Sequence, residues 1–488
     1  MIKINDQDEH VIKACAEYAR TKKEKMKIKK GEIIEATITD LAFGGRGLVR
    51  IDGMAVFIDP AVPGDRVRAR VFKKRKSYAE ARVVELLTPS TDRVSPPCPY
   101  NGWCGGCKSQ FLDYDQQLVY KQSQVADSLA HIGMLTHIPV HPVIPSEKIF
   151  GYRNKMEFSC SDRRWLLPEE MAAEEPIGTD FALGLHVPGT FYKVLDIDAC
   201  LLMPALGNQI LDTARTFMKN SCQPAYGLRS HQGFWRFLML RHSVAKDQWM
   251  INIVTAAEDR PVVQALADSL RADYPRIASI VNNITSRKAG IALGEYEILL
   301  HGDPTITDRI GKRTFSISAN SFFQTNTRGA ETLYRVVEDF SGLTGDQTVM
   351  DLYCGAGTIA LTLADQAKSV IGIEISDTAI ADAEKNSRIN GIDNCRFIRG
   401  DIREKLPELA TTPDLMIIDP PRAGMHKDVV QQVISLSPQR IVYVSCNPAT
   451  LARDLALMVE DYDIKEVQPV DMFPHTWHIE AVARLHRR

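Results

Sequence analysis

From Gly345 onward the chain repeats one unit: a short apolar run followed by a polar-faced stretch of helical spacing. The runs are "TVMDLYC", "SVIGIEIS", "CRFIRGD", "DLMIID" and "RIVYVSC". This alternation predicts a doubly wound α/β fold, because parallel neighbours can be joined only by a crossover of helix length. It also says where chemistry must lie. In an open α/β sheet, ligands sit beyond the carboxyl ends of the strands. A β-rich stretch containing "DMFPHTWHIEAVARL" closes the chain.

The strand ends carry distinctive residues. The first run leads into Gly355-Ala356-Gly357, which lets a ligand approach the backbone and the following helix N-terminus. The second ends at Glu374, 23 residues after Asp351, where a carboxylate suits the two hydroxyls of a ribose. The third ends at Asp401, within reach of an adenine edge in such folds. Together they predict a nucleoside cofactor, and both NAD and S-adenosylmethionine meet that description. The third glycine of a dinucleotide fingerprint is missing, since Ile359-Ala360 occupy its place. The D-x-x-C-G-x-G form is similar to the S-adenosylmethionine loop of class I methyltransferases.

The fourth run ends at Asp419-Pro420-Pro421-Arg422 and the fifth at Ser445-Cys446-Asn447-Pro448. An isolated cysteine is ordinarily a small hydrophobe, but this one converges with Asp419 and the glycine loop on a single crevice. Pyrimidine C5 is too poor a nucleophile to take a methyl group directly. A thiolate that adds to C6 gives C5 enolate character, and a base must then remove the C5 proton before the thiol can leave. Cys446 fits the first role and Glu480 the second, with His475 and His478 as alternative bases.

Further upstream, Arg20 to Arg82 holds 17 Lys/Arg against 8 Asp/Glu, whereas the whole chain is −2. Such a segment on a slightly acidic body suits phosphate backbones. Within it "EIIEATITDLA", "GLVRIDGMAVFID" and "DRVRARVFKKRKSYAEARVVELL" alternate polar and apolar residues between Gly- and Pro-bearing turns. This predicts five or so short strands in an OB-like β-barrel over residues 27–90, after a short helix or loose arm over 1–26. Residues 91–320 read as a mixed α+β central domain, and 321–488 as the catalytic domain. Cys98-x5-Cys104-x2-Cys107 has metal-site spacing, and Gly105-Gly106 free backbone N–H groups to turn toward sulfur. Zinc or an iron–sulfur cluster would accept these thiolates, with Cys200 or Cys160 as fourth ligand.

"CPYNGWCGGC", "YRNKMEF", "SFFQTN", "DLYCGAGT", "DPPRAG", "VSCNPATLARDL" and "DMFPHTWHIEAVARL" together resemble the RNA 5-methyluridine methyltransferases, in the branch with an N-terminal TRAM domain, over residues 27–488. The resemblance implies Cys446 as nucleophile and Glu480 as base. It implies Gln324, Tyr353, Gly355, Gly357, Thr358, Glu374, Asp401 and Asp419 around S-adenosyl-L-methionine or the target uracil, although some members carry Asn where this chain has Thr358. It selects Cys200 to join Cys98, Cys104 and Cys107 around a [4Fe-4S] cluster, and 23S ribosomal RNA as substrate.

Other readings are tRNA uridine-5 methylation, RNA cytosine-5 methylation and a non-catalytic RNA-binding iron–sulfur protein. Cytosine-5 enzymes usually carry a Pro-Cys pair where this chain has Asp419-Pro420-Pro421-Arg422. Arg153 and Lys155 are expected either to touch RNA or to sit in a core strand. A composition of 44% hydrophobic and 25% charged residues, with no apolar run of membrane length and no signal peptide, predicts a cytoplasmic protein without a membrane or obligate protein partner.

Overall fold

The structure is a computed structural model that describes residues 28–288, 290–409 and 412–488, so the expected arm over 1–26 lies outside it. The chain divides into two compact units between Arg93 and Val94. In the first, strands β1 (Ile33–Thr37), β2 (Asp40–Ala42), β3 (Arg46–Ile51), β4 (Met54–Asp59), β5 (Arg66–Lys74) and β6 (Tyr78–Thr88) form one sheet in the order β1-β5-β6-β4-β3-β2. Six strands form rather than about five, because the third sequence stretch turns at Arg75–Ser77 and returns as β6. Along β5, Val67, Ala69 and Val71 point inward while Arg66, Arg68 and Arg70 stay exposed, the period-2 pattern of a half-buried strand. Part of the outward positive charge is neutralised locally: Arg66 pairs with Glu35, Arg68 with Glu85, and Lys73 with Glu80.

The second unit holds two seven-stranded sheets. The first contains β7 (Lys155–Ser161), β8 (Ala182–His186), β9 (Val194–Asp196), β10 (Trp235–Ser243), β11 (Gln248–Thr255), β12 (Ile277–Ile284) and β13 (Tyr296–Gly302), in the order β13-β12-β11-β10-β7-β8-β9. A hairpin of β14 (Thr305–Ile310) and β15 (Arg313–Ser318) follows. The second sheet contains β16 (Thr348–Leu352), β17 (Ser369–Glu374), β18 (Cys395–Arg399), β19 (Leu415–Ile418), β20 (Arg440–Ser445), β21 (Tyr462–Val470) and β22 (Glu480–Arg487). Its order is β18-β17-β16-β19-β20-β22-β21.

The strand–helix alternation correctly marks β16 to β20 as parallel neighbours. The end of the chain departs from it. β22 runs antiparallel to β20 and is inserted between β20 and β21, so its first residues lie at the carboxyl edge of the parallel strands.

No border between cores falls at 320/321. Met250 and Val281 of the first sheet share a core with Phe323, Leu333 and Val442. The helix Tyr114–His131 contributes Val125 and Leu129 to the core that holds Leu451 and Leu455, on the helix that follows Cys446. Among the described residues no helix is long and apolar enough to cross a membrane.

Candidate active site

Backbone register brings the two proposed reactive residues together. β20 and β22 pair from Arg440↔His486 through Ser445↔Ala481. Cys446 directly follows β20 and Glu480 is the first residue of β22, so both lie at the end where this ladder stops, and the charge of Glu480 reaches the Cys446 thiol. The parallel registers Leu352↔Ile418 and Ile418↔Tyr443 bring Tyr353 and Asp419 out of the sheet side by side at the same edge. Tyr353 has φ +64°, a conformation that a bulky side chain rarely holds outside a constrained functional loop.

The carboxyl groups here are strongly perturbed. Burial, reinforced by the charge of Asp419 and opposed by Arg422, pushes Glu480 up to about 8. Burial alone raises Asp419 to about 7. Cys446 rises to about 11 through burial, then Glu480 and Asp419, again opposed by Arg422. Asp351, which sequence reading used only as a spacing mark, is buried and held well above the ordinary carboxylate range by desolvation and Asp419. One of its oxygens accepts from Ala360 N at 3.1 Å, and the other is buried without a partner. Groups held away from their solution values in one crevice are the usual mark of acid–base chemistry.

The glycine loop builds the cofactor side. Gly357 adopts φ +77° and caps the helix Thr358–Leu363, with Phe397 Cζ 3.0 Å from where a Cβ would stand. Glu374 accepts from Gly355 N at 3.3 Å and Ser376 N at 2.9 Å. Its carboxylate is thereby fixed between the loop and the next helix. Asp401 caps the helix Ile402–Glu408, and two hydrogen bonds from the Arg403 side chain with one from its backbone draw it down to about 2. Tyr353, Glu374 and Asp401 line one cavity of about 150 Å³ with Ile375, Arg403 and His426. Sequence reading missed these last three. Ile375 carried one usable signal, its place directly after the strand-end acid, and the structure leaves it 65% exposed.

Tyr334, also missed, explains Thr358 and Gln324. Its buried hydroxyl lies 2.8 Å from Thr358 Oγ1 and also bonds the Gln324 side chain. The main chain of Gln324 is held in turn, its carbonyl accepting from Asn154 Nδ2 at 2.8 Å. Gln324 and Thr358 are thus joined through the Tyr334 hydroxyl.

The loop before Glu480 is clamped from both sides. Lys121 Nζ donates to Asp471 Oδ1 at 2.6 Å and to Phe473 O at 3.1 Å, with both charged side chains at 0% exposure. Tyr114 OH donates to the other Asp471 oxygen at 2.9 Å. Gln117 accepts from His475 N at 3.0 Å, and its amide lies 3.2 Å from His475 Nδ1. The His475 ring stacks on Phe150 at 4.3 Å, and burial pushes its pKa down to about 4. That is a packing role. His478 keeps an exposed edge, while desolvation and then Arg422, Lys121, Lys108 and Arg153 push it to about 4 as well.

Cys98, Cys104, Cys107 and Cys200 line one cavity of about 450 Å³, which Arg153 also borders. Burial raises Cys104 to about 11 and Cys107 to about 12, and each of these two feels the others' charge. Gly106 N–H donates to Cys104 Sγ at 3.4 Å, and the polar groups of Tyr100 and Asn101 beside Cys98, of Gln110 beside Cys107, and of Leu202 and Met203 beside Cys200 partly offset the effect of burial on those thiols. Cys160 lies on β7 with its Sγ 4.0 Å from Met218 Sδ in the core, so the cavity takes Cys200 instead. Among the described residues no three Cys, His, Asp or Glu side chains stand close enough to chelate a single ion. Four cysteines bordering one cavity are a donor set of the kind that zinc or an iron–sulfur cluster accepts. The cavity is tied to the active site, because Lys108 N, one residue after Cys107, donates to His475 O at 2.8 Å.

Residues 260–488 match the tRNA (uracil-5-)-methyltransferase family and residues 27–84 the TRAM domain. A protein of Chlorobaculum tepidum described as an uncharacterized RNA methyltransferase is 44% identical over 95% of this chain and 98% of its own length. One from Porphyromonas gingivalis with the same description is 43% identical over 92% and 99%. The crystal structure of Pyrococcus abyssi tRNA (uracil-54, C5)-methyltransferase with S-adenosyl-L-homocysteine superposes with a TM-score of 0.72 at 29% identity, covering 93% of this chain and all of that one. These likenesses span more than nine-tenths of the chain, and this chain belongs to the S-adenosylmethionine-dependent RNA (uracil-5-)-methyltransferases.

Proposed function

We propose that this enzyme methylates C5 of a uridine through a transient bond between Cys446 Sγ and C6 of the base. The reading is carried by Cys446 and Glu480 both lying at the same end of the β20–β22 ladder, close enough for the charge of one to act on the other. The Cys446 thiolate adds to C6, and C5 becomes the nucleophile. Tyr353, Glu374 and Asp401 would hold S-adenosylmethionine, which would supply an electrophilic methyl group to C5 as its sulfonium S–CH3 bond breaks and S-adenosylhomocysteine is released. Glu480 removes the C5 proton, the electrons of that C–H bond restore C5=C6, and the thiolate leaves. Burial that lifts Glu480 to about 8 makes its ionised form a stronger base than an ordinary carboxylate. The target base must leave its stack to reach this crevice.

Glu480→Gln keeps the shape of the side chain but cannot accept the proton. With RNA and cofactor it is expected to give a retarded protein–RNA band under denaturing electrophoresis, which Cys446→Ala/Glu480→Gln abolishes. Normal turnover by Glu480→Gln, or a band that survives loss of Cys446, refutes the assignment.

The RNA is proposed to be 23S ribosomal RNA, a reading supported by the joint presence of a TRAM domain and the four-cysteine cavity. The full-length likeness to an enzyme named for uracil 54 of tRNA supports tRNA as the second reading. Mapping 5-methyluridine in both RNAs from a deletion strain against wild type separates them. Cys98, Cys104, Cys107 and Cys200 are proposed to hold a [4Fe-4S] cluster. Methyl transfer consumes no electrons, so its role is to shape the wall that fastens His475 and the Glu480 loop.

A further inference from the structure

The second unit carries a basic, aromatic groove that takes no part in the chemistry above. It lies where the chain leaves β7, where it enters β9, and at the turn before β10. Arg163, Trp165, Tyr192, Lys193 and Arg229 line an open cavity there of about 830 Å³. The surrounding loops are held by main-chain contacts, because Trp165 N donates to Val194 O at 2.8 Å and Gly227 N to Gln232 O at 2.7 Å.

Two of the rings already hold a cation on one face. Lys193 Nζ is 3.7 Å from the Trp165 ring centroid, and the Arg229 guanidinium carbon is 3.6 Å from that of Tyr192. Phe191 meets Tyr192 edge-on at 5.3 Å and is 68% exposed, while Trp165 is 39% exposed. Arg164 is committed to Glu170 and Asp196, whereas Arg163, Lys193 and Arg229 enter no ion pair among the described residues. Asp162 and Asp180 also line the groove, so its positive excess is modest and the rings must carry much of any recognition.

We propose that this groove holds an unpaired stretch of the RNA substrate, with bases stacked on Trp165 and Phe191 and phosphates beside Lys193, Arg229 and Arg163. Aromatic platforms interleaved with cations match the two faces of single-stranded nucleic acid, a flat apolar base and a charged backbone. Exposed aromatic clusters of this size ordinarily mark a binding surface. A double helix offers no free base faces, and an acidic peptide would engage the cations but leave the rings bare. The inference rests on the chain being an RNA methyltransferase and adds the form of RNA that it grips away from the reacting base.

The test uses the full-length protein and a fluorescein-labelled oligouridylate of about ten nucleotides, with a blunt RNA duplex of similar length as control. Trp165→Ala and Phe191→Ala are each expected to weaken binding of the single strand about tenfold and to leave the duplex unaffected. Arg229→Ala should lower the slope of log affinity against log salt by about 0.7. All three residues are exposed or at the rim, so unfolding midpoints and S-adenosylhomocysteine affinity should match wild type, which separates local effects from misfolding. In a second measurement, a 4-thiouridine probe should crosslink to the segment 191–193 or to Trp165. If wild type binds the oligonucleotide and the variants bind it equally well, the groove is overturned. It is also overturned if an aspartate-rich peptide occupies the groove and the oligonucleotide does not. If wild type binds neither RNA probe nor total cellular RNA, it is the RNA-methyltransferase reading that fails, a result distinct from either of these.

Discussion

A buried base makes the protein pH-sensitive in a calculable way. Glu480 has its carboxyl moved from about 4.5 to about 8 on folding. The native state therefore holds this proton more tightly than the unfolded chain does. Below about pH 4.5 both states are protonated and the shift has no effect. Between about 4.5 and 8 the unfolded chain is ionised and the native state is not, so stability falls as pH rises. Above 8 the full difference is lost, roughly 5 kcal/mol at about 1.36 kcal/mol per pH unit.

Glutamine at 480 cannot titrate. From about pH 4.5 to pH 9 the stability of Glu480→Gln should rise relative to wild type by several kcal/mol. A buried amide without partners adds a pH-independent cost of about 1–3 kcal/mol, so the slope of the difference is diagnostic rather than its absolute size. All five tryptophans, Trp103, Trp165, Trp235, Trp249 and Trp477, lie in the second unit. Urea unfolding followed by tryptophan fluorescence from pH 5 to 9 therefore reports the relevant part of the chain. Parallel stability curves for the two proteins refute the argument. They would mean that Glu480 is solvated or paired, and unsuited to serve as a raised-pKa base.

Lys121→Met leaves Asp471 buried without its cation and should destabilise the second unit by about 3–5 kcal/mol, whereas Lys121→Met/Asp471→Leu should recover much of the loss; urea midpoints of the two variants decide. Gly357→Ala meets both φ +77° and Phe397 Cζ at 3.0 Å from the new Cβ. Calorimetry should show S-adenosylhomocysteine binding weakened about tenfold or more. Cys200→Ser, purified anaerobically, should lose iron, and Cys160→Ser should retain it; equal iron in the two proteins would remove Cys200 from the cluster. Because Glu480 helps to raise the Cys446 thiol, iodoacetamide should alkylate Cys446 faster in Glu480→Gln than in wild type at pH 8, as mass spectrometry of the labelled peptide can show.

The parallel part of the catalytic sheet was legible in the sequence because it is made of local signals. An apolar run, a glycine turn and a helix of fixed spacing identify β16 and its loop, and the strand-end rule then points to Glu374, Asp401, Asp419 and Cys446. The alternation in "RVRARV" marks β5 by the same kind of local pattern. Long-range pairing leaves no such trace. Nothing local distinguishes Glu480 from His475 and His478 as a base. The register of β22 favours Glu480, because it starts that strand at the end of the ladder with β20 that leads into Cys446, while His475 is held by Gln117 and stacked on Phe150. Cysteine spacing reveals three thiols but cannot choose between Cys160 and Cys200, because one is turned into a core and the other into the shared cavity. Tyr334 reads as an ordinary helix residue until its hydroxyl meets Thr358. Composition and local pattern determine which segments can be strands, helices and ligand loops. Which side chains face one another depends on non-local hydrogen-bond register and on how much water folding removes, and those exist only once the antiparallel strand has been inserted and the crevice has closed around its carboxyl groups.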